Sequence, residues 1–347
     1  MSSFLPHLVL REILEQLYYS EGLNSLNACA LVDRRWSQVA IPLIWQNPFG
    51  WDKRNPFDLF IQLLNQECKN SIDMPILSSL ISPVHDYPCY IRELDYWGIM
   101  LHCSEWLDRV DSRIDYGRKR HLRKQIVSAM LKMFVDHGAL LHSLTIVSAA
   151  ACSLDEDEIL ILFEPEICPM LSRINHFMVI EECVKDKLFR RMAEVCRELK
   201  SMNVWLTRAS QVSQNALESK NLAKLIRSQH RLAYFRLWGV DIPHEAQTAI
   251  CALSSQSQTL KQIEISGYSF INPEPFASMA ACVNLESLKL NWCKVDKIAE
   301  PPLVESNLPC LKHVELDGRV PFQLKIWANH INDFLYFMQN DYGINVG

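Results

Sequence analysis

The sequence predicts an α/β protein in which a small N-terminal helical unit precedes a solenoid of parallel strands. In residues 4–45, apolar side chains recur at helical spacing in three short runs. From residue 91 onward, a short strand pattern (apolar, two variable, apolar, one variable, apolar) occurs eight times, with amphipathic helical stretches between its copies. One helix per strand is the unit of a solenoid that carries parallel strands on its concave face and helices on its convex face.

Composition excludes several classes of function. A net charge of −5 gives no basic surface for nucleic acid or for an anionic membrane. No apolar run approaches the roughly 20 residues that cross a bilayer, and the N-terminus lacks the features of a signal peptide. The twelve cysteines occur singly, without zinc-ligand spacing. We therefore expect no metal, no membrane and no nucleic-acid partner, and a reducing location, cytoplasmic or nuclear.

Three short helices are predicted at the N-terminus. Pro6 suits the first turn of helix one, which the residues from 18 to 22 should end. Helix two should run from about Leu23 to Val32. Asp33 is placed to cap helix three, which we expect to stop at Pro42.

These helices carry more large apolar side chains than so small a core requires. The surplus residues are Leu5, Leu8, Ile13, Leu14, Leu17, Leu31, Val32, Trp36 and Trp45. Some of them must cover another surface, either on the rest of the chain or on another protein.

The stretch from Phe4 to Trp45 resembles an F-box. The matching residues, in order, are Leu5-Pro6, Ile13-Leu14, Leu17, Leu26, Leu31-Val32, Trp36, Pro42 and Trp45. The sequence departs from the pattern at Asp33, where many members have Ser, but both residues can cap a helix. The resemblance implies docking on a Skp-type adaptor and, through it, on a cullin. The adaptor-binding residues that it implies are Leu5, Pro6, Ile13, Leu14, Leu17, Leu31, Val32 and Trp36. A generic helical hairpin that packs on the main body is the alternative.

Residues 49–90 are predicted to be a helical linker after an F-box domain of residues 1–48. Pro56 should open a helix with Phe57, Phe60, Ile61 and Leu64 on one face. We expect Trp45 to pack towards this helix.

The third predicted domain, residues 91–347, carries the strand repeats. Their first positions are Ile91, Leu141, Ile174, Leu199, Leu232, Leu260, Leu285 and Leu311. The last four are spaced by 28, 25 and 26 residues, within the roughly 20–29 of a leucine-rich repeat. The longest gap, between the first two, could hold an insertion or another strand. The region resembles the divergent leucine-rich repeats found behind F-boxes, and Cys293 stands at the Asn/Cys position of that repeat.

Helices are predicted between the strands and at the C-terminus. Their bounds are Lys119–His137, Lys185–Leu199, Ser210–Ser228, His244–Leu253 and, as a helical cap over the last repeat, Leu324–Asp341.

No pattern points to catalysis. The sequence contains no phosphate-binding loop, nucleophile elbow or zinc-protease motif. The acidic run 155–158 is interpreted as a solvated turn, and the basic run 118–124 as the exposed start of a helix. We therefore predict a non-catalytic protein without a cofactor.

Binding is the remaining function. The variable positions of each strand should face away from the core. The target-binding candidates among them are Tyr234, Arg236, Lys261, Glu264, Glu286, Lys289, Lys312 and His313. Aromatic residues at the strand ends could anchor a partner: Trp205, Trp238, Tyr268 and Trp292. Two functions stay open: the substrate-recognition subunit of a Skp–cullin–F-box ubiquitin ligase, or an interaction scaffold that does not act through a ligase.

Overall fold

The computed structural model describes most of the chain. The described residues are 6–50, 56–64, 69, 72–73, 85–147, 154, 156–180, 185–206, 212–240, 242–296, 301–306 and 308–341. The chain divides into two compact units. One comprises residues up to 145 together with 160–173, and the other comprises residues 146–159 and those from 174 onward.

Helices occur along the whole described chain. In the first half they are α1 (His7–Glu21), α2 (Leu23–Ala30), α3 (Arg34–Trp45), α4 (Phe57–Leu63), α5 (Tyr96–Val110), α6 (Tyr116–Asp136), α7 (Glu156–Leu160) and α8 (Cys168–Leu171). In the second half they are α9 (Lys185–Val195), α10 (Val212–Arg227), α11 (Gln247–Cys251), α12 (Glu274–Ala280), α13 (Pro301–Val304) and α14 (Phe322–Asp341). Short 3₁₀ turns cover Tyr87–Tyr90, Ile161–Phe163, His244–Ala246 and Ala252–Gln256. Over the described ranges, no helix is both long enough and apolar enough to span a bilayer.

The strands pair in parallel, as the sequence predicts. They are β1 (Glu93–Asp95), β2 (Ser143–Val147), β3 (His176–Ile180), β4 (Ser201–Trp205), β5 (Tyr234–Trp238), β6 (Gln262–Ser266), β7 (Ser269–Phe270), β8 (Ser287–Val295) and β9 (His313–Arg319). All eight predicted repeats contain a strand. Among the strands of the described residues, the repeat pattern missed only β7, since two residues are too few to show alternation.

In the first unit, α1, α2 and α3 enclose a small core of their own. Its buried residues are Leu10, Leu14, Leu26, Val39, Ala40 and Leu43. Two helices of this unit continue past their predicted ends. Helix α1 continues through the expected break to Glu21, because Leu17 and Tyr18 still pack on this core. Helix α3 continues through Pro42, since burial of Leu43, the next residue, offsets the loss of the backbone hydrogen bond that proline cannot donate.

The helix predicted after Pro56 is present. Phe57, Phe60 and Ile61 on α4 are buried, and Leu64 is buried just beyond its end. Trp45 packs on this segment as expected, with its ring centroid 5.8 Å from that of Phe60. The long gap between the first two repeats holds α5 and α6. Tyr96, predicted as a strand position, instead begins α5 because Asp95 caps that helix by accepting from the Gly98 N–H group.

In the second unit, the apolar strand positions stack in register. One buried row crosses six strands and comprises Phe177, Met202, Phe235, Ile263, Leu288 and Val314. Two residues further along each strand, a second row comprises Val179, Val204, Leu237, Ile265, Leu290 and Leu316. Burial alternates along β3, β4, β5 and β6, so the variable positions share the more accessible face of these strands.

The last helix closes the open edge of β9. The side-chain amide of Asn332 on α14 accepts from Val314 N (3.1 Å) and donates to Val314 O (2.8 Å). Leu324 and Ala328 on the same helix are buried. These contacts satisfy backbone groups that an edge strand leaves unpaired.

Candidate functional site

Two surfaces carry the residues that the sequence analysis selected, and each lies within a single unit. The first is on the N-terminal helices and is called here the N-terminal apolar set. Its members are large apolar side chains exposed on α1 and in the turn before α3: Leu8, Val9, Ile13, Leu31 and Val32. Leu31 is 87% exposed and Val32 63%. Large apolar side chains exposed one helical turn apart, as Val9 and Ile13 are, or side by side, as Leu31 and Val32 are, are typical of an interaction site.

The turn that carries Leu31 and Val32 is held in place by hydrogen bonds. Helix α2 ends at Ala30, two residues earlier than predicted, so both side chains lie outside the helix. The Asp33 carboxylate then accepts from Arg35 N (2.7 Å) and Trp36 N (2.9 Å), which confirms its predicted capping role. The two apolar side chains are therefore presented on an ordered backbone.

The predicted adaptor-binding residues fall into three groups. Pro6, Ile13, Leu31 and Val32 are exposed, whereas Leu17 and Trp36 are partly buried against the small core. Leu5 lies outside the described residues. Leu14 is fully buried, so it stabilises the helical unit and is not available to a partner in this arrangement. Val9, which the motif does not include, is exposed one helical turn before Ile13.

The second surface is the polar face of β5, β6, β8 and β9, which we call the charged face. Arg236 Nε lies 3.0 Å from Glu264 Oε1 on the neighbouring strand, and Tyr234 donates to the same carboxylate at 3.3 Å. Burial raises the pKa of the Tyr234 hydroxyl. Further along the face, Lys289 Nζ lies 3.0 Å from Glu315 Oε2. Cations and carboxylates therefore alternate from strand to strand.

A second row of charges lies just before the strands. Glu286 lies between two lysines, with its oxygens 2.9 Å from Lys261 Nζ and 3.6 Å from Lys312 Nζ. Hydrogen bonding to Lys261 lowers the pKa of Glu286, and the same bond raises the pKa of Lys261. His313 Nε2 lies 3.7 Å from Glu315. The structure thus brings all eight predicted target-binding residues together, but largely as partners of one another.

The aromatic residues at the strand ends differ in exposure. Trp205 and Trp238 are the last residues of β4 and β5, and their ring centroids lie 4.4 Å apart in an edge-to-face arrangement. Trp238 Nε1 donates to Asn203 Oδ1 at 2.7 Å. Tyr268 is buried, and its hydroxyl donates to His244 O at 3.2 Å, so it is not a surface anchor. Trp292 is 77% exposed.

A cleft of about 670 Å³ lies beside Trp292, and we call it the carboxyl-end cleft. Its lining includes Gly239 and Val240 after β5, Gly267 after β6, and Lys294 on β8. The sequence does not reveal this cleft, because turns from separate repeats form it. The only local signal is a glycine directly after two successive strands.

The acidic and basic runs are less solvated than expected. Glu158, interpreted as part of a solvated turn, is completely buried on α7. Arg123, at the end of the basic run, is 5% exposed and donates to Ser104 Oγ at 3.0 Å. Both residues therefore belong to the packing of the protein. Within the described part of the chain, no three His, Cys, Asp or Glu side chains lie close enough together to hold a metal ion.

Comparison with known proteins adds no assignment: no protein-family model and no curated protein matches this chain.

Proposed function

We propose that this chain is the substrate-recognition subunit of a Skp–cullin–F-box ubiquitin ligase. Its N-terminal helices act as the F-box and dock on a Skp-type adaptor that links them to a cullin. The observation that carries the proposal is the exposure of Leu31 and Val32 on a helical unit whose own core is complete without them. Both residues belong to the F-box-like pattern.

The energetics favour burial of these side chains by a partner. Burying a Leu or Val side chain contributes roughly 1.5–3 kcal/mol. Leu31, Val32 and Ile13 are positioned without further ordering of the backbone, because α1 and the Asp33 cap already hold them. A preorganised apolar surface binds with little loss of conformational entropy.

The strands would form a leucine-rich-repeat solenoid that holds the target. The parallel pairing and the two apolar rows in register support this proposal. Cys293, at the Asn/Cys position of the repeat, is buried with its Sγ 3.4 Å from Ile265 O. Such a contact between neighbouring repeats is what that position requires.

The proposed mechanism is positioning, without chemistry by this chain. A receptor that holds both the adaptor and the target raises the local concentration of target lysines beside the ubiquitin-charged enzyme. The proposal therefore requires two independent binding surfaces on one chain.

Co-elution of the purified chain with a purified Skp-type adaptor tests the proposal. We expect the natural chain to form a stable complex and Leu31→Glu/Val32→Glu to lose it while keeping its melting temperature. Phe322→Glu is the matched control, because Phe322 is 75% exposed on α14. If the double variant and the natural chain bind the adaptor equally, or if neither binds, the ligase role is wrong and the scaffold function remains.

A further inference from the structure

We propose that the carboxyl-end cleft binds an extended peptide segment that presents an aromatic side chain close to a carboxylate. The inference rests on the proposed function only for the origin of the peptide, which would be a ligase target. The site itself follows from the backbone of Trp292, from the shape of the cleft, and from two cations that have no carboxylate partner among the described residues.

Trp292 has a backbone conformation that disfavours its side chain. Its φ is +59°, in the left-handed region that costs an L-residue energy. On the neighbouring strand Ser266 pairs with Asn291, so Gly267 and Trp292 are the next residues on each chain. Gly267 has φ +83°, which glycine adopts freely. A tryptophan at such an exposed position buries little surface, so it contributes little to the stability of the fold. Strained positions of this kind cluster at binding sites.

Lys294 lines the cleft together with Trp292, and Arg319 adds a second positive charge on the neighbouring strand. They are register partners on β8 and β9, and both are exposed. Adjacent like charges on paired strands repel each other. No carboxylate of the described residues lies within ion-pairing distance of either cation, in contrast to the charged face, where the cations already have partners. A bound carboxylate would relieve this repulsion.

The shape of the cleft suits a peptide. Its volume of about 670 Å³ admits a side chain with its flanking backbone. Gly239 and Gly267 form part of the lining, and a Cβ atom on either would clash with the backbone of the preceding turn. Val240, 63% exposed, adds an apolar wall. An aromatic ring can therefore lie between Val240 and Trp292.

Charge favours a peptide over a nucleic acid. Glu245 lines the cleft, and Asp317 is exposed on β9 two residues before Arg319. These carboxylates, together with the net charge of −5, repel a polyphosphate backbone. A single carboxylate can still bind at Lys294 and Arg319.

Fluorescence anisotropy with labelled nonapeptides tests the inference. The peptides carry one Phe and one Glu at different separations in a Gly-Ser background. We expect at least one spacing to bind the full-length chain, and Phe→Ser or Glu→Gln in that peptide to weaken binding about ten-fold or more. In the protein, Trp292→Gly should weaken peptide binding about ten-fold or more, and so should the double variant Lys294→Gln/Arg319→Gln. The control Phe322→Ser should not change peptide binding. Trp292→Gly should not lower the melting temperature.

Several results would overturn the inference. They are no binding at any spacing, equal binding by Trp292→Gly, or preferential binding of a labelled oligouridylate at the same residues. The adaptor co-elution depends on Leu31 and Val32, so the two proposals fail separately. If the chain binds the adaptor but no peptide, only the proposed peptide site is wrong. Peptide binding without adaptor binding removes the ligase role and leaves the cleft as a peptide site.

Discussion

The side-chain amide of Gln256 donates to the backbone carbonyl of Gln229 at 3.0 Å, and the Gln229 amide donates to the carbonyl of Cys196, also at 3.0 Å. Gln229 Oε1 also accepts from Leu199 N at 3.1 Å. Both glutamines are buried, at 4% exposure. They link the turns that lead into β4, β5 and β6. In these turns, the side-chain amides form the hydrogen bonds that strand pairing would supply within the sheet.

Replacing Gln229 should therefore be strongly destabilising. Gln229→Leu keeps the approximate volume but leaves Leu199 N and Cys196 O buried without this partner. We expect a loss of about 3 kcal/mol in the free energy of unfolding, measured by urea denaturation. Gln258→Leu, at an exposed position two residues after Gln256, should change stability by less than about 0.5 kcal/mol. Equal effects of the two substitutions would show that the amide contacts contribute nothing.

The strain at Trp292 predicts that substitution by glycine and substitution by alanine have different effects on stability. Trp292→Gly relieves the positive φ, whereas Trp292→Ala removes the ring and keeps the strain. The free energy of unfolding of the glycine variant should therefore exceed that of the alanine variant by about 1 kcal/mol, although glycine usually destabilises a strand. Thermal and urea unfolding of both variants measure the difference. An alanine variant as stable as the glycine variant would mean that Trp292 is not strained.

Two buried thiols predict a loss of stability at alkaline pH. Burial raises the pKa of Cys282 and of Cys293 to about 11. Below the ordinary thiol pKa of about 8.5 both states are protonated, so the thiols then have no effect. Above it the unfolded chain ionises first, and stability falls as the pH rises towards about 11. At pH 10 each thiol should reduce the unfolding free energy by about 1–2 kcal/mol.

A variant that lacks both thiols provides the control for this pH dependence. Between pH 8 and pH 10, Cys282→Ala/Cys293→Ala should lose less stability than the natural chain, even if it is less stable overall. Parallel pH profiles for the two proteins would contradict the assigned cause.

Substitutions at two adjacent motif residues, Ile13 and Leu14, should differ in their effect on stability, because one side chain is on the surface and the other is in the core. Leu14→Ala should cost about 2–5 kcal/mol of unfolding free energy, because Leu14 is fully buried. Ile13→Ala should cost far less, since Ile13 is 44% exposed. Circular dichroism melts would measure both, and similar losses would mean that α1 is rotated relative to the arrangement described here.

The sequence predicts the strands well because each repeat carries its own alternation of apolar and variable positions. Helix ends are harder to predict. Pro42 is a helix breaker by local chemistry, yet burial of Leu43 extends α3 beyond it. The F-box pattern likewise treats Ile13 and Leu14 alike, whereas helical geometry places them on different faces.

The features that sequence reasoning missed depend on residues far apart in the chain. The contact between Gln229 and Gln256 requires the packing of successive turns, and the carboxyl-end cleft requires several of them. The eight residues of the target-binding prediction lie close together, but their mutual pairing follows only from the strand register.

Amide hydrogen exchange of the chain with and without a purified Skp-type adaptor tests the adaptor role most directly. We predict slower exchange in residues 7–13 and 31–36 when the adaptor is present, and unchanged exchange in β5. Unchanged exchange throughout residues 7–36, or protection that appears in β5 instead, would contradict the proposed docking of the N-terminal helices.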